Sequence, residues 1–204
     1  MTIYTHIDQS QLEGAKIYSN RWSWAASLKK NMDIIEVGVG SGDYSLHMMQ
    51  TISPKSMLLI DKYDQSDPMI ARPNQPLRFK EENHYQFIQD KFKNYSNVTL
   101  NKGNSIEVLP KLIEEQKSFD MIYIDASHHY EDSSQDIWNA SKLLRDDGIL
   151  AINDYVHFVH DEQYGVILAT NEFLNKNKDW KVVGLSLEEN MMADIYLSKN
   201  SSDV

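Results

Sequence analysis

The 204-residue sequence predicts an α/β fold, a mostly parallel sheet with helices on both faces, closed by an antiparallel hairpin. Three observations predict it. From about residue 30, strand-like apolar runs alternate with helical periodicity, the pattern of parallel strands joined by crossover helices. The run Ile34-Ile35-Glu36-Val37 passes into Gly38-Val39-Gly40-Ser41-Gly42, a buried strand ending in a tight glycine loop before a helix near Asp43. Past residue 180, two strand-like runs succeed each other with no helix between them, which makes a hairpin.

The elements follow in order. A helix over Arg21 to Lys30 packs beside the first strand, within a helical segment at residues 1–30. Buried strands are expected at Asp33 to Gly38, Met57 to Asp61, Val98 to Asn101, Phe119 to Asp125 and Gly148 to Asn153. Helices fill the intervals at about 42–52, 81–94, 105–117 and 131–145. Asn104 with Glu107 reads as a capping-box variant opening the third of these. Val166, Ile167, Ala169, Phe173 and Leu174 space a helix over Tyr164 to Asn175. The hairpin strands are Trp180 to Leu187 and Asp194 to Leu197, around Glu188-Glu189-Asn190. Lys62 to Lys80, with Pro68, Pro73 and Pro76, is a long connection that serves as a substrate lid or is a variable insertion. Residues 1–204 are read as a single domain.

Composition narrows the function classes. A net charge of -10 with no Lys/Arg run argues against nucleic acid or an anionic membrane as partner. With no cysteine, disulfides, thiolate catalysis and zinc–thiolate sites are excluded. No apolar run approaches membrane-spanning length and no signal pattern opens the chain, so a cytoplasmic protein is the expectation. A homo-oligomer is compatible with the sequence, which carries no code for it.

The ends of the five strands are polar in succession: Glu36 to Gly42, Asp61, Gly103-Asn104-Ser105, Asp125, and Asn153-Asp154. Ligands of open α/β sheets bind at that edge, so the set points to a nucleoside-bearing cofactor. Asp61 lies 19 residues after Gly42, a spacing that suits a carboxylate receiving ribose hydroxyls. The glycines run G-x-G-x-G, not the G-x-G-x-x-G of a pyrophosphate loop, and Glu36 would repel a diphosphate while favouring an ammonium or sulfonium. A nicotinamide-dependent oxidoreductase and a non-catalytic cofactor-binding module are the rival readings from other classes.

With Glu36-Val37-Gly38-Val39-Gly40-Ser41-Gly42 matching E/D-x-G-x-G-x-G, the chain resembles the class I S-adenosylmethionine-dependent methyltransferases from about Tyr18 to Lys199. The resemblance implies a Rossmann-like seven-stranded sheet whose last strand is antiparallel. It places Glu36, Gly38, Gly40 and Ser41 at the methionine part of the cofactor, Asp61 at the ribose, Asn104 and Ser105 along the adenine, and Asp125 beside them. A second pattern, Ile124-Asp125-Ala126-Ser127-His128-His129-Tyr130, then Asp136-Ile137, Leu143 to Gly148 and Asn153-Asp154-Tyr155, is similar to the macrocin-type small-molecule O-methyltransferases. That group implies Mg²⁺ held by Asp125, Asn153 and Asp154, His128 as base, and a small-molecule acceptor such as a sugar or other hydroxylated metabolite. This chain departs from it in carrying Asn153 where relatives have a second carboxylate, and Tyr155 where catechol-type enzymes have an amide. A metal-independent methyltransferase acting on nitrogen or another centre is the nearest rival.

The remaining candidates are weaker. His129 is an alternate to His128, and His157, His160 and Asp161 form either a metal cluster or the polar edge of a lid. Met48-Met49 and Met191-Met192 read as packing. Trp22 and Trp24 sit two apart on one helix, so one at most faces the core and the other lines the acceptor pocket.

Overall fold

Neighbouring residues of one strand feed two different cores. Ile34, Met57, Leu59, Met121, Tyr123, Ile149 and Ala151 join one buried cluster, while Ile35, Ile60, Ile122, Ile124, Leu150 and Ile152 join the other. This is the period-two alternation of a sheet covered on both faces, where most central positions are apolar and the pleat sorts the side chains.

A computed structural model describes residues 5–65, 83–157, 164–188 and 192–199. Its elements are β1 (Lys16–Tyr18), α1 (Arg21–Ser27), β2 (Asp33–Val37), α2 (Asp43–Thr51), β3 (Ser56–Asp61), α3 (His84–Phe92), β4 (Val98–Lys102), α4 (Ser105–Glu114), β5 (Phe119–Ile124), α5 (Tyr130–Leu143), β6 (Leu144–Val156), α6 (Val166–Lys176), β7 (Lys181–Glu188) and β8 (Met192–Ser198). Helices α1 to α3 contribute Trp24, Met48 and Ile88 to the first cluster; α4 to α6 contribute Leu109, Ile137 and Phe173 to the second. The strand order is β1-β7-β8-β6-β5-β2-β3-β4, and only β8 runs antiparallel to its neighbours. The chain steps outward from β2 to β4, then returns to β5 on the other side of β2. That reversal opens a crevice at the carboxyl ends of β2 and β5.

The sheet departs from expectation in three places. An eighth strand, β1, pairs parallel with β7 (Ile17 opposite Leu185); it is three residues long and mostly exposed, so no apolar alternation marks it. β6 starts at Leu144 instead of Gly148. Leu144 pairs with Phe119 before a register shift, and Arg145 reaches Asp33 at 2.8 Å and Asp120 at 2.6 Å, so a loop-like polar run is held in the sheet. Asn104 occupies the N-cap of α4, but its side chain makes no capping bond; its carbonyl instead accepts from Glu107 and Val108 N–H. Met48 and Met49 are core residues. Residues 66–80 of the expected lid, His160, Asp161, Glu189, Asn190 and Met191 lie outside the described residues.

Candidate active site

The loop after β2 is fixed by two backbone crossings. Gly38 N–H donates to the Ile60 carbonyl (2.8 Å) and Asp125 N–H donates to the Val37 carbonyl (2.7 Å). Gly38 has φ +86°, and a Cβ there would lie 1.9 Å from the Asp125 carbonyl oxygen. No other residue fits so close an approach. Asp61 ties the same loop from β3: one carboxylate oxygen accepts from Val39 N–H (2.7 Å) and Gly40 N–H (3.2 Å), the other from Tyr63 N–H (2.7 Å). Each oxygen keeps lone-pair capacity beyond these bonds.

A cleft of about 720 Å³ opens over this loop. Glu36, Gly38, Gly40, Ser41, Asp61, Asn104, Ser105, Asp125 and His128 all line it, so the sequence-predicted cofactor set and the predicted base meet in one cavity. Glu36 is buried and accepts from the Ser45 hydroxyl; burial pushes its carboxyl up to about 8, with Asp125 and Asp61 adding repulsion and Ser45 and Arg21 opposing it. Asp125 is likewise raised by burial, against the pull of Arg21 and His128. The cleft thus gathers carboxyl groups that a cation would ionise and an anion would not approach.

At the end of β6 the backbone of Asp154 is left-handed, φ +51°, an uncommon state for a residue other than glycine. Its carboxylate lies 3.6 Å from His128 Nε2 and 3.8 Å from His157 Nε2. The Tyr164 ring stacks 5.6 Å from His128 and 5.1 Å from His157, and its hydroxyl donates to the Asp154 carbonyl. Among the described residues, the buried His128 Nε2 has no hydrogen-bond partner, and the 3.6 Å separation from Asp154 is an ionic proximity, not a hydrogen bond.

The donor set expected for Mg²⁺ does not fit that ion in this arrangement. Asn153 does not line the cleft: its amide nitrogen donates 3.0 Å to Asp194, and it lines a small adjoining cavity that shares His128 with the cleft. Asp125 already faces the Arg21 guanidinium at 3.5 Å. Among the described residues, no three His, Asp or Glu side chains form a group able to hold a metal ion. Octahedral oxygen coordination needs more convergence than this.

A family model described as a methyltransferase domain matches residues 35–155, which span the glycine loop, Asp61, Asp125, His128 and Asp154. The chain belongs to the methyltransferase domain family. Membership and fold together make it a class I S-adenosylmethionine-dependent methyltransferase. The fold of this methyltransferase is similar to an O-methyltransferase from Bacillus cereus solved in complex with SAH (13% identity, 95% of this chain and 83% of that one, TM-score 0.65). It is also similar to an rRNA methylase from Streptococcus thermophilus (11% identity, 87% and 93%, TM-score 0.58). A third likeness is to the precorrin-6y C5,15-methyltransferase from Geobacter metallireducens (16% identity, 85% and 82%, TM-score 0.54). No curated protein sequence matches it significantly. Among the described residues, no helix is long and apolar enough to cross a membrane.

Two residues of the methyltransferase site escaped the sequence reading. Arg21, at the start of α1, lines the cleft, donating to the Tyr123 hydroxyl (3.1 Å) and pairing with Asp125. Asp194, on β8, is fully buried behind Asp154. Neither belongs to a motif, and the hairpin pattern that located β8 marks Asp194 only as a strand residue. An acidic residue at a buried strand position was the one available signal.

Proposed function

We propose that this methyltransferase moves the methyl group of S-adenosylmethionine onto a hydroxyl oxygen of a small hydroxylated molecule, a sugar or similar metabolite, with His128 as general base. One observation carries the reading: His128 lines the cofactor cleft with Asp154 3.6 Å behind its Nε2. The carboxylate favours the tautomer protonated on Nε2, which leaves the lone pair on Nδ1.

The cleft suits the cofactor on its own chemistry. Gly38 provides a cradle that a Cβ would fill, and Glu36 and Asp125 offer a buried and a half-buried carboxyl to a cationic methionine end. A dinucleotide would bring a diphosphate to the same corner, where it would oppose ionisation of those carboxyls and gain no charge pairing from them, so the geometry disfavours the nicotinamide reading. When bound there, S-adenosylmethionine supplies an electrophilic methyl on a sulfonium. His128 takes the proton of the acceptor hydroxyl as the oxygen attacks, Asp154 stabilises the resulting imidazolium, and the glycine loop with Asp61 holds the cofactor for in-line approach.

A small acceptor follows from charge. Among the described residues, the cleft is lined by six carboxylic residues (Glu36, Asp43, Asp61, Asp64, Asp125, Asp132) against Arg21 and Lys62. A phosphate backbone would meet net repulsion there, which weighs against RNA. The test is a thermal-shift comparison of S-adenosylhomocysteine with NAD, each with and without Mg²⁺, then transfer of labelled methyl to a panel of sugars, phenols, amines and RNA. Stabilisation by S-adenosylhomocysteine alone, independent of Mg²⁺, with label on a hydroxylated small molecule, is the expected result. Stabilisation by NAD, or label on RNA or only on amines, sinks the proposal.

A further inference from the structure

We propose that Asp194 is a positioning residue for the base, a reading that rests on the His128–Asp154 pairing above: its carboxylate locks Asp154 into the backbone conformation that places an acid beside His128. Asp194 sits on β8, outside the glycine loop and the β5 and β6 ends, and has no exposed surface. Its Oδ1 accepts from Asp154 N–H and from the Asn153 amide, both at 3.0 Å. Its Oδ2 accepts from the Tyr123 hydroxyl at 2.9 Å, and that hydroxyl in turn accepts from Arg21 at the cleft wall.

A buried carboxylate with three donors is an expensive element to place inside a sheet, so its partners indicate its use. Two of the three belong to consecutive residues at the point where β6 leaves regular geometry. β6 and β8 pair regularly through Ile152 and Ile195, then shift register before Val156 pairs with Ala193. Asn153 and Asp154 fall inside that irregularity, so no ladder bond holds Asp154 N–H, and Asp194 takes it instead. Asp154 is left-handed at φ +51° without being glycine, a state that persists only where surrounding bonds enforce it. The direction of the Asp154 carboxylate follows from that backbone conformation, so releasing it would move the carboxylate relative to His128. The Tyr164 hydroxyl on the Asp154 carbonyl grips the same residue from the other end. Asp194 touches neither cofactor nor acceptor cleft; it acts through Asp154.

The test reads the His128 ring by proton–nitrogen NMR on full-length protein labelled at histidine, at a pH where the ring is neutral, with the signal assigned by its loss in His128→Gln. Calorimetric binding of S-adenosylhomocysteine reports whether each variant is folded. The wild type shows the Nε2–H tautomer. Asp154→Ala loses that preference, and Asp194→Ala loses it equally while still binding S-adenosylhomocysteine. Asp194→Asn keeps it, because the amide oxygen still accepts from Asp154 N–H. If Asp194→Ala does not fold, the near-isosteric Asp194→Leu replaces it with the same expected loss. A folded Ala or Leu variant that retains the wild-type tautomer overturns the proposal, as does an Asn variant that loses it. If Asp154→Ala itself retains the tautomer, the His128–Asp154 pairing beneath the proposal is what fails.

Discussion

The α-carbon of Gly38 sits so close to the backbone of Asp125 that a Cβ would lie 1.9 Å from its carbonyl oxygen. The loops after β2 and β5 therefore touch at the one point where the cleft floor is made. Gly38→Ala must either separate the two strand ends or distort a backbone already at φ +86°. A loss of more than about 2 kcal/mol is expected, since the steric and conformational costs act together. Chemical denaturation measures it, and S-adenosylhomocysteine binding should vanish in whatever fraction still folds. A variant as stable as the wild type, with binding intact, would contradict the crossing.

Glu36 makes the stability of the ligand-free protein depend on pH. Its carboxyl titrates at 4.5 when unfolded and is held near about 8 by burial. Between those values the native state keeps a proton that the unfolded chain has released, so stability falls as pH rises across the window and levels off above it. The full effect is on the order of 5 kcal/mol. Asp194, held near about 7 by burial, and Asp136, near about 6, act in the same direction. Glu36→Gln should remove the largest part of this slope and raise the melting temperature on the alkaline side. Binding runs the other way: an ammonium-bearing ligand draws Glu36 into its ionised form, so wild-type affinity for S-adenosylhomocysteine should climb with pH by up to about tenfold per unit. In Glu36→Gln the affinity should be weak and flat.

Much of this was legible in the sequence, for a definite reason. Strands β2, β3 and β5 and the middle of β6 are largely apolar on both faces because helices cover both, so they read as runs such as Ile34-Ile35 and Met121-Ile122. The glycine loop was equally plain, since the positive φ of Gly38 demands glycine locally even though the close approach comes from distant Asp125. What stayed hidden depends on partners distant in the chain. β1 becomes a strand only because β7 offers an edge, and Arg145 enters the sheet through Asp33 and Asp120. Asn153 is adjacent to Asp154 in sequence, yet its amide nitrogen donates to Asp194, 41 residues away, a partner that no local pattern announces.

His128 and Asp154 should separate binding from chemistry. His128→Ala removes the proton acceptor but leaves the glycine loop and Asp61 untouched, so S-adenosylhomocysteine affinity should hold while methyl transfer falls by about 10²–10⁴-fold. Asp154→Asn keeps the shape and loses the charge facing Nε2, and should lower the rate by a smaller factor. The measurement is single-turnover transfer of labelled methyl to the acceptor found in the panel screen. Equal losses of binding and transfer in His128→Ala would show that the residue belongs to the cofactor pocket and not to the chemistry.

Trp22 and Trp24 lie on the same short helix and divide its two duties. Trp24 has no exposed surface and stacks on Tyr196 at 3.7 Å with the planes 4° apart, joining α1 to β8. Trp22 is 37% exposed, lines the cleft, and meets Tyr44 and His47 edge-on at 5.3 and 4.7 Å. Removing Trp24 empties a filled core site, so Trp24→Ala should cost about 3–5 kcal/mol. Trp22→Ala loses its edge contacts with Tyr44 and His47 at a half-exposed site, so it should cost less, about 1–2 kcal/mol. The kinetic effects should be reversed. A rigid aromatic face at the mouth of a cleft is a surface on which a flat sugar or phenol face can rest, so Trp22→Ala should raise the acceptor KM and leave S-adenosylhomocysteine affinity in place. Should Trp22→Ala weaken the cofactor and spare the acceptor, the helix would face the methyl donor, and the acceptor would have to enter from the side of Lys62 and Asp64.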